Sequence, residues 1–288
     1  MQIFKSFKNL MEMIKVKHTV FSLPFAMLGA MTTAQGIPSV EKLIWISTAV
    51  TTARTAAMIF NRLVDQNIDG KNPRTKNRAL PTGQVSRRWA ICFFIVSVIL
   101  FGYAANKLGA LPRKLAIPAM IVILGYSFCK RFTLLSHIIL GLSLAIVPLG
   151  ASIAVNGNID PPIWFLAIGI LTWTAGFDII YALQDVSFDR EHKLHSIPAH
   201  IGAAKSLWIS RGMHAVASTS WAIFNYELGS ILVPWISWLI VTIILAREQW
   251  IVRNGGLERI NHAFFTLNSM VGVCLFIGHT IEWALVKL

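Results

Sequence analysis

Two acidic clusters with the same spacing, 120 residues apart, constrain this chain more than any other feature of its sequence. The first cluster is Asn61, Asp65 and Asp69, and the second cluster is Tyr181, Asp185 and Asp189. Because an α-helix turns once every 3.6 residues, spacings of four and eight place the three polar side chains of a cluster on one helix face. Each cluster also follows an apolar segment, so we expect both to lie near the end of a helix.

The four aspartates of these clusters belong to a total of only 13 acidic residues. Carboxylates that face one another repel strongly unless a cation lies between them. Oxygen-only ligands suit Mg²⁺, which is usually bound by one or two carboxylates together with the phosphates of a substrate. Solvated helix caps would explain one or two of the aspartates, but not the repeated spacing. The pattern therefore predicts a site for Mg²⁺ and a diphosphate, with the four aspartates as metal ligands.

The composition indicates a membrane protein. Hydrophobic residues make up 55% of the 288 residues, and charged residues make up only 14%. A soluble domain usually carries nearly twice this charged fraction. Nine apolar stretches, each long enough to cross a bilayer as a helix, are centred near residues 27, 53, 98, 121, 145, 172, 216, 238 and 274. We predict an all-α polytopic membrane protein in which residues 1–288 form a single domain.

The net charge of +13 is distributed as in a protein of the lipid bilayer, and not as in a nucleic-acid-binding protein. With the N-terminus in the cytoplasm, most lysines and arginines fall in cytoplasmic segments, which is the positive-inside pattern. This orientation places both acidic clusters on the cytoplasmic side. Residues 1–18 are basic and amphipathic, and we expect them to lie on an anionic membrane surface as an interfacial helix.

The 120-residue offset predicts an internal duplication. The two clusters align residue by residue, and each is followed by a basic loop that contains proline. We expect these loops, residues 66–88 and 186–206, to form cytoplasmic caps over the site. Two parallel four-helix repeats, followed by a ninth helix, would bring the two acidic faces together around a central cavity.

Charged residues also occur inside the predicted membrane helices. Arg54 and Asp178 lie deeper in the membrane than the clusters, on the same helix faces, and Arg62 and Arg211 also fall within apolar segments. A charge at the centre of the bilayer costs about 2.5–3.5 kcal/mol, so it requires a polar cavity or an opposite charge. Arg54 and Asp178 can pair with each other. Alternatively, the Arg54 guanidinium can bind a substrate carboxylate or the diphosphate.

Further basic residues stand beside the first cluster and at the end of the fourth apolar segment. They are Arg74, Lys76 and Arg78 in the first loop, with Lys130 and Arg131 after the fourth segment. A diphosphate needs positive charge near its oxygens, and these side chains can provide it. Lys130 and Arg131 are equally explained as ordinary anchors of a positive-inside topology.

These motifs resemble those of the UbiA superfamily of intramembrane aromatic prenyltransferases, over essentially the full length of the chain. The N-x-x-x-D-x-x-x-D motif from Asn61 to Asp69 and the D-x-x-x-D motif from Asp185 to Asp189 are similar to the two aspartate-rich motifs of that family. Arg54 matches a family arginine that precedes the first motif by seven residues.

Two further stretches are informative about the branch of the family. Residues 126–133, Y-S-F-C-K-R-F-T, are similar to the Y-P-F-x-K-R-[YF]-T stretch of 4-hydroxybenzoate polyprenyltransferases, with Ser127 in place of the usual proline. Residues 54–65 and the downstream N-P-R-T resemble a bacterial branch. Parts of that branch prenylate 1,4-dihydroxy-6-naphthoate.

The resemblance implies a polyprenyl diphosphate donor and a central cavity under two cytoplasmic loops. It implies two Mg²⁺ ions held by the four aspartates with help from Asn61. The residues expected to stabilise the leaving diphosphate are Arg74, Arg78, Lys130, Arg131 and Lys193. The other expected substrate-binding residues are Arg54, Tyr126, Asp178 and Tyr181.

The expected acceptor is an aromatic acid, either 4-hydroxybenzoate or 1,4-dihydroxy-6-naphthoate. These acids serve ubiquinone and menaquinone biosynthesis respectively, and the resemblance implies a multi-pass protein of the bacterial inner (cytoplasmic) membrane. A naphthoate needs a longer flat slot than a benzoate, and we expect Met58 and Tyr126 to lie near that slot.

A secondary transporter is the alternative class, because intramembrane acids, parallel repeats and a deep arginine also occur in transporters. Transport sites tend to lie near the membrane midplane. The acids of this chain instead crowd one surface beside basic loops, which favours the enzyme.

Overall fold

The computed structural model describes residues 9–14, 22–255 and 267–286, and within these ranges the chain forms helices and no strands. The four lysines of the predicted interfacial segment 1–18 lie outside the described residues. The described part of that segment, residues 9–14, places the buried side chains of Leu10 and Ile14 in one apolar cluster with Ile59. This part therefore packs against the protein itself.

A helix lies at or close to each of the nine predicted centres within the described residues. The long helices are α1 (Leu23–Ala34), α2 (Val40–Lys71), α3 (Arg87–Lys107), α4 (Ala110–Cys129), α5 (Ser136–Asn156), α6 (Pro161–Ala182), α9 (Ala203–Glu227), α10 (Val233–Gly255) and α11 (Asn268–Val286). Two short helices, α7 (Val186–Glu191) and α8 (Ile197–Ile201), follow α6.

Seven helices in the described residues are long and apolar enough to cross a bilayer. The remaining two long helices are α1, which has 12 residues, and α9, which is less apolar. The chain is thus an all-helical multi-pass membrane protein, while the count of nine spans and the parallel repeats stay predictions.

The ends of α2 and α6 differ from the predicted boundaries. Helix α2 continues to Lys71 and carries the whole first cluster, so the first six residues of the predicted cap loop 66–88 are helical. Helix α6 ends at Ala182, and Leu183–Asp185 form a 3₁₀ turn before α7. The prediction that the second cluster occupies one uninterrupted helix is therefore wrong. A 3₁₀ turn winds the chain more tightly than an α-helix, and this changes the directions of its side chains.

The main core surrounds α6 in the second half of the chain. The indoles of Trp173 and Trp221 are fully buried and pack with Phe25 from α1. Gly169 allows this packing, because a Cβ at that position would overlap the Trp221 indole nitrogen. Aromatic side chains of this size bury the largest apolar area per residue, so they fix α1, α6 and α9 relative to one another.

A carboxylate joins α11 to the start of α10. Glu282 accepts hydrogen bonds from the backbone N–H groups of Ile231, Leu232 and Val233, at 2.9, 2.8 and 3.1 Å. The first N–H groups of a helix have no partner within the helix, and they carry partial positive charge. Glu282 therefore caps α10 and ties it to the end of α11.

Replacing Glu282 by glutamine should lower the free energy of unfolding by about 1–2 kcal/mol, because charge-assisted hydrogen bonds become neutral ones. The midpoint of thermal unfolding in detergent should fall by a few degrees. Glu227→Gln, at an exposed position in the last turn of α9, is the matched control and should leave the midpoint unchanged. Equal midpoints for the two variants would contradict the capping role.

Candidate active site

The first cluster is buried at the end of α2. Asp65 and Asp69 are 2% and 4% exposed. The side-chain amide of Asn61 donates to Asp65 Oδ2 at 3.2 Å, as expected for residues one turn apart on one helix face. The predicted common face of this cluster is therefore present in the structure.

The end of α4 supplies the cations that contact Asp65. Lys130 Nζ forms an ion pair with Asp65 Oδ2, and Arg131 Nη2 donates to Asp65 Oδ1 at 2.8 Å. Arg131 also donates to the backbone oxygens of Ser127 and Val64, which fixes the direction of its guanidinium. Lys130 and Arg131 are thus directed at the acidic cluster and are more than topology anchors.

Two arginines of the first loop contact the two clusters, one arginine for each cluster. Arg78 Nη1 donates to both carboxylate oxygens of Asp69 at 2.8 Å. Arg74 Nε donates to Asp185 Oδ1 at 2.9 Å, and Arg74 Nη1 donates to the Tyr181 hydroxyl at 2.6 Å. Residues of one loop therefore contact both clusters, and the two acidic regions lie close together as predicted.

The charge state of Arg74 follows from these contacts. Burial alone would lower the pKa of the Arg74 guanidinium. Its hydrogen bonds and charge attraction to Asp185 and Tyr181 outweigh that effect and raise the pKa above the ordinary value. Arg74 is therefore a permanent cation, available to pair with a carboxylate or with a phosphate.

The second loop closes over the same region. Ser196 donates to Asp189 Oδ2 at 2.7 Å, and the backbone N–H of His195 donates to the Lys130 carbonyl at 2.6 Å. Lys193 is exposed and has a left-handed backbone with φ of 52°. Among the described residues it forms no ion pair with the four aspartates, and its predicted role toward the diphosphate stays a prediction.

Arg54 and Asp178 do not pair with each other. His137 Nδ1 lies 2.6 Å from Asp178 Oδ2, and the Arg54 guanidinium donates to the Ile14 carbonyl at 3.4 Å. His137 Nε2 also accepts from the backbone N–H of Ile197 at 3.4 Å, which links the second loop to this pair. The predicted alternative of an Arg54–Asp178 pair is therefore corrected.

Three polar residues of the site escaped prediction from the sequence. Besides His137, they are Ser196 and Asn72, whose amide donates to Asp185 Oδ1 at 2.9 Å. A lone histidine without metal spacing carries no local signal. Asn72 and Ser196 are common loop residues, although each lies in one of the two predicted cap loops.

An apolar cavity of about 550 Å³ lies below the clusters, between α2, α4, α5 and α6. Arg54, Met58 and Tyr126 line its end near the clusters, and Leu108 and Pro112 line the far end. Along α4, the distance from Tyr126 to Pro112 is about 21 Å at the α-helical rise. The cavity is therefore long and apolar, with an arginine and a tyrosine at the end that approaches the charged region.

The charged and polar residues of the site begin about one turn beyond this end of the cavity, on the same helices that line it. Asn61 follows Met58 by one turn on α2, and Lys130 follows Tyr126 by one turn on α4. On the α6 side, Tyr181 follows the cavity residue Phe177 by one turn. A ligand with an anionic head and an apolar tail therefore matches the arrangement of charged and apolar groups.

The donor set fits Mg²⁺ shared with an anionic substrate better than a metal site made by the protein alone. All four cluster aspartates offer oxygen ligands, and three of them already pair with lysine or arginine. Among the described residues, no three acidic, histidine or cysteine side chains form a ready metal cage. Mg²⁺ usually binds to one or two carboxylates and completes its coordination with substrate phosphates and water.

The UbiA prenyltransferase family model matches residues 22–270. A 4-hydroxybenzoate octaprenyltransferase from Saccharophagus degradans is 26% identical over 250 residues, which cover 86% of this chain and 83% of that protein. A protein of the same name from Pseudomonas aeruginosa is 28% identical over 254 residues, covering 88% and 84%.

Solved structures agree with these sequence matches. A UbiA homologue from Aeropyrum pernix, in its apo form, has a TM-score of 0.85 and 30% identity, and the match covers 93% of this chain and 98% of that one. A UbiA homologue from Archaeoglobus fulgidus, bound to GPP and Mg²⁺, has a TM-score of 0.70, covering 94% and 99%. At 17% identity, this second likeness supports the fold alone. With a family model matched over most of its length, the chain belongs to the UbiA prenyltransferase family.

Proposed function

We propose that this protein transfers a polyprenyl group from a polyprenyl diphosphate to an aromatic acid, in a reaction that depends on Mg²⁺. The observation that carries the proposal is the direct continuation of a long apolar cavity into a region of paired aspartates and basic side chains. A prenyl diphosphate has the same division into an apolar tail and an anionic head. Membership of a prenyltransferase family decides against the transporter.

The acidic and basic residues of the site would bind the diphosphate head together. The residues that would hold Mg²⁺ are Asp65, Asp69, Asp185 and Asp189, with Asn61 assisting. Bound Mg²⁺ would supply positive charge that neutralises the leaving diphosphate. Arg74 and Arg78 now pair with aspartates, and they can exchange these partners for phosphate oxygens when the substrate enters.

The cavity would protect the reactive carbon. When the C–O bond to the diphosphate breaks, the electron pair leaves with the diphosphate oxygen and an allylic cation remains. The apolar cavity keeps water away from that cation, and the ring of Tyr126 offers a π face at this end. A new C–C bond then forms to the acceptor ring beside its hydroxyl group, and the ring loses a proton.

Arg54 is the residue we assign to the acceptor carboxylate. It lines the cavity end near the clusters, and no carboxylate ion pair occupies its guanidinium among the described residues. A guanidinium binds a carboxylate with two parallel hydrogen bonds. The names of the two octaprenyltransferases favour 4-hydroxybenzoate, with 1,4-dihydroxy-6-naphthoate as the competing acceptor. In a bacterial cell the active site would face the cytoplasm, at the inner membrane.

The deciding experiment is an assay of the purified protein in detergent, with Mg²⁺, a polyprenyl diphosphate and each acid in turn. Mass spectrometry should detect the acid with one added prenyl group, and NMR of that product should place the group ortho to a hydroxyl. Competition between the two acids at equal concentration ranks them. If neither acid is prenylated while the donor remains bound, the assigned acceptor class is wrong.

A further inference from the structure

Arg211 is a charged residue within helix α9, and it takes no part in the candidate active site. It lies eight residues into α9, about 12 Å along the helix from Ala203. Among the described residues its guanidinium has no carboxylate partner. It lies over the ring of Trp208, 4.7 Å from the centroid, and Trp208 is 69% exposed. A guanidinium at this depth that faces the lipid side needs a counterion.

The packing of α9 against α10 shows what lies beside Arg211. Ser210 accepts from the Gln249 amide at 2.8 Å, which sets the register of the two antiparallel helices. When two helices run antiparallel, the residues that directly follow two residues in contact point to the same side of the helix pair. Arg211 and Trp250 follow Ser210 and Gln249, so they lie at the same level on the same side.

A second arginine joins this side of the pair. Arg253, one helical turn after Gln249, is exposed and lies near the level of Trp208. We call this surface the α9–α10 groove, and its residues are Trp208, Arg211, Trp250 and Arg253. It lies at the end of the bundle that also holds the acidic clusters, because α9 follows α6 through the second loop.

In the part of the chain that the structure describes, the charges of the groove are all positive. The acidic residue of α10 closest to it along the chain, Glu248, is fully buried and accepts from the Asn268 amide instead. Trp250 is 64% exposed. Exposed tryptophans are typical of the membrane–water interface, where arginines meet lipid headgroups. The groove thus combines two cations with two interfacial aromatic rings.

We propose that the α9–α10 groove binds the headgroup of an anionic phospholipid. The phosphate supplies the counterion that Arg211 lacks among the described residues, and a planar guanidinium binds phosphate oxygens in a bidentate manner. The stack of Arg211 on Trp208 orients the guanidinium toward the groove. Ser210 faces α6, where its hydroxyl donates to the Gly176 carbonyl at 2.8 Å. At 3.6 residues per turn, Arg211 and Trp208 point about 100° and about 160° away from Ser210, so this lipid site is separate from the prenyl diphosphate site.

The test measures lipid binding to the full-length protein in detergent by native mass spectrometry. Phosphatidylglycerol should bind more tightly than phosphatidylcholine to the unchanged protein. Arg211→Gln should weaken phosphatidylglycerol binding about fivefold, the effect of one arginine near an anionic surface. Arg211→Lys keeps the charge but loses the bidentate fork and the stack on Trp208, so it should recover only part of the binding.

The matched control is Arg88→Gln. Arg88 is exposed at the start of α3, next to the exposed Trp89, on the same side of the membrane. It should leave phosphatidylglycerol binding unchanged, although it removes the same charge. Equal losses in Arg88→Gln and Arg211→Gln would mean nonspecific charge attraction and would overturn the proposal. Equal binding of the two lipids, or displacement of phosphatidylglycerol by millimolar inorganic phosphate, would also overturn it.

Discussion

Replacing Asp65 or Asp185 by asparagine should lower the rate of prenyl transfer on the order of a thousandfold, as the loss of a preorganised electrostatic contact does in other enzymes. Asp65 is 2% exposed and lies between Asn61, Lys130 and Arg131. The amide keeps the size of the carboxylate but removes the charge that binds a metal ion. Product formation from a polyprenyl diphosphate measures the effect.

The control for this prediction is Asp160→Asn. Asp160 directly precedes α6 at the opposite end of the bundle, where it accepts from the Asn156 amide at 3.1 Å. This variant should keep the activity of the unchanged protein. Thermal unfolding in detergent must show that the Asp65 and Asp185 variants are folded. Folded variants with activity within a few-fold of normal would remove these aspartates from the proposed metal site.

The sequence was sufficient to predict the common helix face of the first cluster, because the contacts within that cluster are local. Asn61 and Asp65 are one turn apart on one helix, so the helical period alone predicts that they share a face, and in the structure they are hydrogen-bonded. Arg78 lies nine residues after Asp69, within reach of the end of α2. The hydropathy pattern likewise predicted where the long helices lie.

The second cluster was harder to predict, because its geometry depends on contacts between distant parts of the chain. Asp185 accepts from Arg74 and Asn72, more than a hundred residues away, and nothing in its own segment specifies them. The 3₁₀ turn at Leu183–Asp185 could not be predicted either, because the four-residue spacing of the polar residues continues there as in an α-helix. His137 meets Asp178 only through the packing of α5 against α6.

Arg54→Gln should raise the KM for the aromatic acid about ten- to a hundredfold, because a charge-assisted hydrogen bond contributes roughly 1.5–3 kcal/mol. Arg54 lines the cavity beside Met58 and Tyr126, at the level where the acceptor ring must meet the prenyl carbon. The measurement compares 4-hydroxybenzoate with 4-hydroxybenzamide, which has the same size and no charge. The KM for the donor and kcat/KM for the amide should change by less than a few-fold.

Arg131→Gln is the contrasting variant for the same pair of acceptors. Arg131 contacts Asp65 at 2.8 Å and is assigned to the leaving diphosphate, so its loss should impair both acceptors equally. A difference between acid and amide in Arg54→Gln, together with no difference in Arg131→Gln, would separate acceptor recognition from diphosphate binding. If Arg54→Gln instead impairs acid and amide equally, its guanidinium serves the diphosphate or the fold. The acceptor carboxylate would then need another partner among the residues of the cavity.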